Sequence, residues 1–311
     1  MAVHIDPQLF DRLRSCAVGA AVGDALGMPL EFGAASPPDA LVRQMLPGRL
    51  PSGSFTDDTE MAIALAESLA AHRPLNAEDL AQRFVQWHEC SPPDEGIQTA
   101  RALGWLARGE NWETVKERLV EEMPDSAGNG SVMRCWPVAL AWWNNRSQRI
   151  TDSKLQSELT HPNPDCVSSC VFVNLLINDL ARGTKPEQAF RASLESVSFP
   201  DDFRKLLLAA PNRTREELKN TGWVRHTLES SIWALLTTEN FEEAVIQVVN
   251  LGKDADTAGA VTGALAGAAY GLEAIPTSWR QQLKGIWPLS SGNTWGCQDI
   301  IALADKLILG T

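Results

Sequence analysis

Two short acidic stretches carry the side chains with the clearest capacity for chemistry. Lys253-Asp254-Ala255-Asp256-Thr257 stands ahead of a run of mostly small residues, Ala258 to Gly267, and Thr56-Asp57-Asp58-Thr59 stands ahead of a second such run, Met61 to Ala71. Thr, Asp and Glu at a helix start are ordinary caps and dipole partners. One cap and one acid suffice for that job. Two adjacent aspartates between threonines, followed by Glu60, concentrate negative charge that repels itself unless a cation is present. Carboxylate and hydroxyl oxygens are hard ligands, suited to Mg²⁺, Mn²⁺ or Ca²⁺ rather than Zn²⁺. Thr56, Asp57 and Asp58 offer one set, and Asp254, Asp256 and Thr257 offer another. Together with waters they are enough for two octahedral ions about 3.5–4 Å apart, a spacing that clamps a diol or phosphate and sharpens an attacking water.

For two such mouths to share ions, the elements behind them must approach closely. Leu9 to Leu26 reads as a helix with Gly19, Gly23 and Gly27 along one stripe, and Gly259, Gly263 and Gly267 repeat that spacing. Glycine in a helix interior costs about 1 kcal/mol relative to alanine, so two glycine stripes are expected to be compensated by close packing, against each other or against common neighbours. Asp24, inside the first stripe, is expected to act as a helix-end cap or buried hydrogen-bonding group supporting the site.

Other segments present candidate contacts. Ser36 to Ser54 is a long Pro- and Gly-rich loop, a kind that is often functional. Ser91-Pro92-Pro93-Asp94-Glu95-Gly96-Ile97 is a rigid turn presenting two carboxylates. Gly128-Asn129-Gly130-Ser131 precedes an apolar helix, Cys135 to Trp143. Glycines there free backbone N–H groups to approach an anion, although no P-loop lysine follows and a plain turn fits the spacing as well. His161 opens a proline turn, His161-Pro162-Asn163-Pro164-Asp165, which by itself reads as a cap or a polar surface residue.

Composition narrows the function classes. A chain of 311 residues, 44% hydrophobic, can bury a sizeable core. A formal net charge of −12 argues against nucleic acid or an anionic membrane as partner. The amino terminus shows no signal-peptide pattern, and the most apolar run, Ala258 to Leu272, is shorter than the ~20 residues of a membrane span. A cytoplasmic location is expected. The six cysteines form no Cys-x-x-Cys pair and read as reduced core residues. Period-3.6 patterns recur and period-two patterns are few, predicting an all-α fold: one compact, orthogonal helical domain over residues 1–311, acting as a monomer. Further helices are expected over Ala77–His88, Ile97–Gly109, Trp112–Glu122, Cys166–Arg182, Lys185–Ser196, Phe203–Ala210, Thr214–Asn220, Val224–Thr237, Asn240–Asn250 and Trp295–Leu309.

The ordered set Gly23-Asp24-Ala25-Leu26-Gly27, Phe55-Thr56-Asp57-Asp58-Thr59, Gly128-Asn129-Gly130-Ser131-Val132-Met133-Arg134, His161-Pro162 and Asp254-Ala255-Asp256-Thr257 resembles the ADP-ribosylglycohydrolase family, and more narrowly its members that reverse arginine ADP-ribosylation. The resemblance implies an all-α fold, a binuclear Mg²⁺ or Mn²⁺ centre, and hydrolysis of the N-glycosidic bond between ADP-ribose and a modified protein side chain. It makes Thr56, Asp57, Asp58, Asp254, Asp256 and Thr257 the metal ligands. The loop Gly128, Asn129, Gly130, Ser131 would cradle the diphosphate, and His161 would contact ADP-ribose. Asp94 matches an acidic residue facing the scissile bond and guanidinium, with Glu95 beside it as an alternative. Glu31 matches a glutamate at the metal site of some members. Ala127 stands where some members carry an adenine-stacking aromatic, so that role passes elsewhere. Trp223 is the candidate substrate-facing aromatic, with core packing as its alternative. Lys253 departs from a small residue and is expected to pair locally or to fill part of the cleft. The rival functions are hydrolysis of another ADP-ribose linkage (serine, a nucleic-acid base or a small metabolite), a non-catalytic ADP-ribose-binding module, and a lens-crystallin-like structural protein.

Overall fold

The computed structural model describes residues 5–310. The first helices in chain order are α1 (Pro7–Gly27), α2 (Asp57–Ala71), α3 (Ala77–Glu89), α4 (Ile97–Ala107), α5 (Trp112–Glu122), α6 (Trp136–Ala141), α7 (Arg146–Glu158) and α8 (Pro164–Ala181). They are followed by α9 (Pro186–Glu195), α10 (Asp201–Ala209), α11 (Val224–Thr237), α12 (Phe241–Val249), α13 (Ala255–Tyr270), α14 (Thr277–Gln282) and α15 (Cys297–Leu309). Two short strands, β1 (Lys284–Ile286) and β2 (Thr294–Gly296), pair antiparallel.

The two glycine stripes meet. A Cβ placed on Gly23 would overlap the Gly259 carbonyl, and one on Gly263 would overlap the Gly19 carbonyl. The pairing runs Gly19 to Gly263, Gly23 to Gly259 and Gly27 to Ala255, so α1 and α13 lie antiparallel, backbone on backbone. The end of α1 thereby abuts the start of α13. Helices α8, α11 and α12 pack round α13, and α15 packs on α1. Their apolar side chains form one continuous core, with a small satellite of Ala102, Trp105, Val115 and Leu119 between α4 and α5. Both central helices are buried over almost their whole length, which explains why neither shows the one-sided pattern of a surface helix.

Several expected elements change. Thr214–Asn220 is not an α-helix: only a 3₁₀ turn, Arg215–Glu217, forms there, closed by the reciprocal Thr214 and Glu217 cap. The helix expected over Cys135–Trp143 shrinks to α6. Helix α7 has few apolar residues yet buries Arg149, Asp152, Ser153, Gln156 and Ser157, so hydrophobic periodicity misses it. The strand pair interrupts an otherwise helical fold. Among the described residues, no helix is long and apolar enough to cross a membrane.

The backbone contact predicts a sharp contrast between two glycine-to-alanine changes. Gly23→Ala should lower the unfolding free energy by about 3 kcal/mol or more through overpacking. Gly104→Ala in α4, where a Cβ meets nothing closer than the Arg108 guanidinium at 3.8 Å, should raise it by up to about 1 kcal/mol. Denaturant unfolding of both variants is the check, and equal midpoints would contradict the packing assigned to α1 and α13.

Candidate active site

Asp24, fully buried near the end of α1, draws the start of α2 to itself. Its carboxylate accepts hydrogen bonds from the Thr56 N–H (2.9 Å) and Oγ1 (2.8 Å) and from the Thr59 N–H (3.2 Å) and Oγ1 (2.5 Å). Because α1 lies on α13, this anchor sets Asp57 and Asp58 opposite Asp254 and Asp256. Thr257 stands beside them at the start of α13, its N–H donating to Asp256 Oδ1 (3.0 Å) and its hydroxyl 4.0 Å from Met133 Sδ. All five residues line one cavity of about 440 Å³. Thr56 does not line it. Its proton is committed to Asp24 at 2.8 Å, which leaves the oxygen lone pairs free beside Asp58.

Glu31 joins this cluster through a backbone turn. Phe32 donates its N–H to the Lys253 carbonyl (2.6 Å), and Lys253 donates to the Gly33 carbonyl (2.9 Å). Phe32 and Lys253 both hold positive φ, 61° and 59°, where non-glycine residues are uncommon. Carboxylate oxygens of Glu31, Asp254 and Asp256 come within 4.8 Å of one another. This corrects the expectation for Lys253. Its side chain is exposed and makes no ion pair among the described residues, it does not line the cavity, and its backbone holds Glu31 in place.

The residue that sequence reasoning missed is Arg49. It lies in the long Ser36–Ser54 loop, and its Nη2 bridges Glu31, Asp94 and Asp256, the last at 3.2 Å. Nothing local marks Arg49, since only its long-range position in an acidic cleft gives it meaning. The turn carboxylates are now distinguished. Glu95 is engaged by His88 Nδ1 at 2.7 Å, whereas Asp94 faces the cluster through Arg49.

The glycine loop borders the same cavity, but its four residues face different ways. Gly128, Asn129 and Gly130 line the cavity. Asn129 Nδ2 donates to Asp254 and to Thr227 Oγ1 (2.8 Å), so its side chain orients a carboxylate and is not free for an anion. Ser131 lies behind the loop, fully buried, with Oγ bonded to Ser157 Oγ (2.9 Å), which corrects its expected place in the cradle. His161 is buried against Gly128 and Gly130 and lines the cavity. Trp223 is 39% exposed, which excludes core packing. It adjoins the loop through a backbone bridge to Gly128 and meets His226 edge-on at 4.7 Å, without itself lining the cavity.

The charge at this site is out of balance. Burial, then the neighbouring carboxylates, push Asp57, Asp58 and Asp256 well above the ordinary carboxylate range. Burial pushes Asp24 up to about 6 despite its four donors, and burial together with the Asp94 charge pushes Glu31 up to about 7. Arg49 supplies one positive charge to this group. Asp58 Oδ1 is buried with no hydrogen-bond partner, an exposed cost that native structures rarely leave. An orphaned carboxylate oxygen, like charges held together and an all-oxygen donor set fit a hard divalent cation.

Comparison with known proteins agrees with this geometry. The family model described as ADP-ribosylglycohydrolase matches residues 5–311. The chain is 34% identical over 293 residues to ADP-ribosylarginine hydrolase Tri1 of Serratia proteamaculans, covering 89% of this chain and 76% of that protein. It is 31% identical over 284 residues to the ADP-ribosyl-[dinitrogen reductase] glycohydrolase of Rhodospirillum rubrum, covering 89% and 92%. A solved structure named ADP-ribosylglycohydrolase-related protein complex superposes with a TM-score of 0.79 at 31% identity, over 97% of this chain and 98% of that one.

The carboxylates predict a pH-dependent response to cations. Their folded-state pKa values lie above their unfolded ones, so their contribution to stability is full below the ordinary carboxylate range and is lost as pH rises through the folded values, about 6 for Asp24 and about 7 for Glu31. Burial and the Arg134 charge hold His161 well below its usual value, which acts in the opposite sense. The rise in Tm on adding Mg²⁺ or Mn²⁺ over EDTA isolates the acidic cluster, because a cation replaces its protons. That rise should be several degrees larger at pH 8 than at pH 5, measured by scanning calorimetry. Equal rises would contradict cation binding by these carboxylates.

Proposed function

The chain belongs to the ADP-ribosylglycohydrolase family and is an enzyme of it, and from that premise we propose that it removes ADP-ribose from arginine side chains of modified proteins by hydrolysing the N-glycosidic bond. The observation that carries the arginine linkage is chemical. Where Glu31, Asp94 and Asp256 converge, the cation they receive is a guanidinium, that of Arg49. Carboxylates so placed match the planar N–H fork of a substrate arginine.

Two divalent cations, Mg²⁺ or Mn²⁺, held by Thr56, Asp57, Asp58, Asp254, Asp256 and Thr257, would stabilise charge on the ribose oxygens and lower the pKa of a bound water. The chain's own groups do the rest. Gly128 and Gly130, lacking a Cβ, let the His161 ring pack against the loop that would hold the diphosphate, and Trp223 offers an exposed ring near the loop. Asp94 holds the departing guanidine through charge-assisted hydrogen bonds. Hydrolysis places the oxygen of water on the anomeric carbon and returns the C–N electron pair to the guanidine nitrogen, which takes up one proton from that water. Glu31 and Asp94 both contact the same nitrogen of Arg49, so both reach the position of a leaving nitrogen. Glu31, its carboxyl raised to about 7 by burial and Asp94, is suited to take the water's proton and pass it on near neutral pH.

Release of free ADP-ribose, followed by mass spectrometry on arginine-, serine- and nucleic-acid-linked substrates with Mg²⁺, Mn²⁺ or EDTA, is the test. The expected outcome is release from the arginine linkage with either cation and none in EDTA. Asp94→Ala should lower kcat/KM on that substrate by about 10²-fold, and Asp256→Asn should abolish turnover in a folded protein. Release confined to another linkage, or undiminished in EDTA, would overturn the proposal.

A further inference from the structure

Behind the glycine loop lies a buried cation that neither the acidic cluster nor the reaction uses. Arg134 is fully buried and forms no salt bridge among the described residues, with its guanidinium 4.4 Å from the centre of the Phe84 ring. Burying an unpaired cation is costly unless its N–H groups find acceptors. Nε donates to Gln156 Oε1 (3.2 Å), and Nη2 donates to the Gln156 carbonyl (3.1 Å) and to Thr160 Oγ1 (2.7 Å). Thr160 Oγ1 in turn lies 2.8 Å from His161 Nδ1.

Proton accounting fixes the direction of this chain. A guanidinium only donates, and a threonine hydroxyl has one proton and two lone pairs. Thr160 Oγ1 must therefore accept from Arg134. Its single proton has one acceptor among the described residues, His161 Nδ1. The opposite arrangement, Nδ1–H donating to Thr160, would leave that hydroxyl proton buried and without a partner, which is disfavoured. The rest of the segment is held rigidly. The Thr160 carbonyl accepts from Gln98 Nε2 (2.7 Å), the His161 N–H donates to the Ser157 carbonyl (2.7 Å), and the His161 carbonyl accepts from Ser157 Oγ (3.0 Å). The opposite edge of the ring faces the loop. A Cβ on Gly130 would come within 2.8 Å of Cε1 and 3.0 Å of Nε2, and one on Gly128 within 3.4 Å of Nε2.

We propose that Arg134, acting through Thr160, is a positioning residue that locks His161 as the neutral Nε2–H tautomer, presenting a fixed hydrogen-bond donor to an anionic oxygen of a nucleoside diphosphate at the glycine loop. The identity of that ligand rests on the function proposed above, whereas the tautomer does not. Burial and the Arg134 charge also keep the ring unprotonated. The arrangement gives the cavity a donor whose polarity is set from behind the ring, by a guanidinium that also rests on Met61 of α2.

Long-range proton–nitrogen correlation spectra of the full chain distinguish the two tautomers. The chain has five histidines, and the spectrum of a His161→Gln variant assigns the relevant one. The wild-type ring should carry its proton on Nε2. Thr160→Val, which keeps the side-chain shape and removes the hydroxyl, should populate Nδ1–H and weaken the ADP-ribose Kd about tenfold, and Thr160→Ser should restore both. A wild-type ring protonated on Nδ1 would overturn the proposal even if Thr160→Val failed to fold, and so would an unchanged tautomer in a folded Thr160→Val. An Nε2–H ring in a wild-type protein without affinity for ADP-ribose would uphold the relay and refute the ligand assigned to the cavity.

Discussion

The contact on which the structure depends is the backbone-to-backbone packing of α1 and α13. Glycines on both helices bring the carbonyl of one against the Cα of the other, and no side chain larger than hydrogen fits between Gly23 and Gly259. An antiparallel crossing at that distance puts the end of α1 beside the start of α13. Asp24 then captures α2 through two threonine hydroxyls and two backbone N–H groups. Three helix ends are thus fixed relative to one another by one steric contact and one buried carboxylate. A side chain on either face of that contact would have to part α1 from α13, and with them Asp57 and Asp58 from Asp254 and Asp256.

What this framework assembles is electrostatically unfavourable by itself. Mutually repelling carboxylates, several of them buried, are held within a cavity where solvent screening is weak. The structure answers with limited means: Asn129 on Asp254, the Thr257 N–H on Asp256, and the Arg49 guanidinium across Glu31, Asp94 and Asp256. None of these satisfies Asp58 Oδ1. A site prepared in this way favours ligands that bring positive charge, whether a hard cation or a guanidinium. The adjoining loop, joined to the acids through Asn129 and Asp254, brings Gly128, Gly130 and the His161 ring to the same cavity. On the function proposed here, one cavity would take a molecule with a diphosphate at one end and a cationic leaving group at the other.

Much of this was legible in the sequence, for physical reasons. The glycine stripes could be compensated only by close packing, and the paired acids exceeded what capping requires. Asp24 was readable as a buried anchor because it sits inside a stripe. Other parts could not be read locally. Helix α7 buries polar side chains such as Gln156 and Asp152, so its apolar pattern is faint. Arg49 reaches the site from a loop whose course is set by distant partners: Asn250 bonds both backbone groups of Val42, and Arg215 donates to the Ser36 carbonyl. Ser131 reads as a loop residue facing a ligand, but the chain turns its hydroxyl toward Ser157. Lys253 looked like a charge in the cleft. It is a left-handed backbone position whose carbonyl and N–H hold the Glu31 turn.

The central claim is that the mouths of α2 and α13 form one cation site. Anomalous diffraction from crystals grown with Mn²⁺ tests it most directly. The account predicts anomalous density between Asp57 and Asp58 on one side and Asp254 and Asp256 on the other, lost in Asp256→Asn. Manganese bound elsewhere, or this cavity without anomalous density at saturating Mn²⁺, would contradict it.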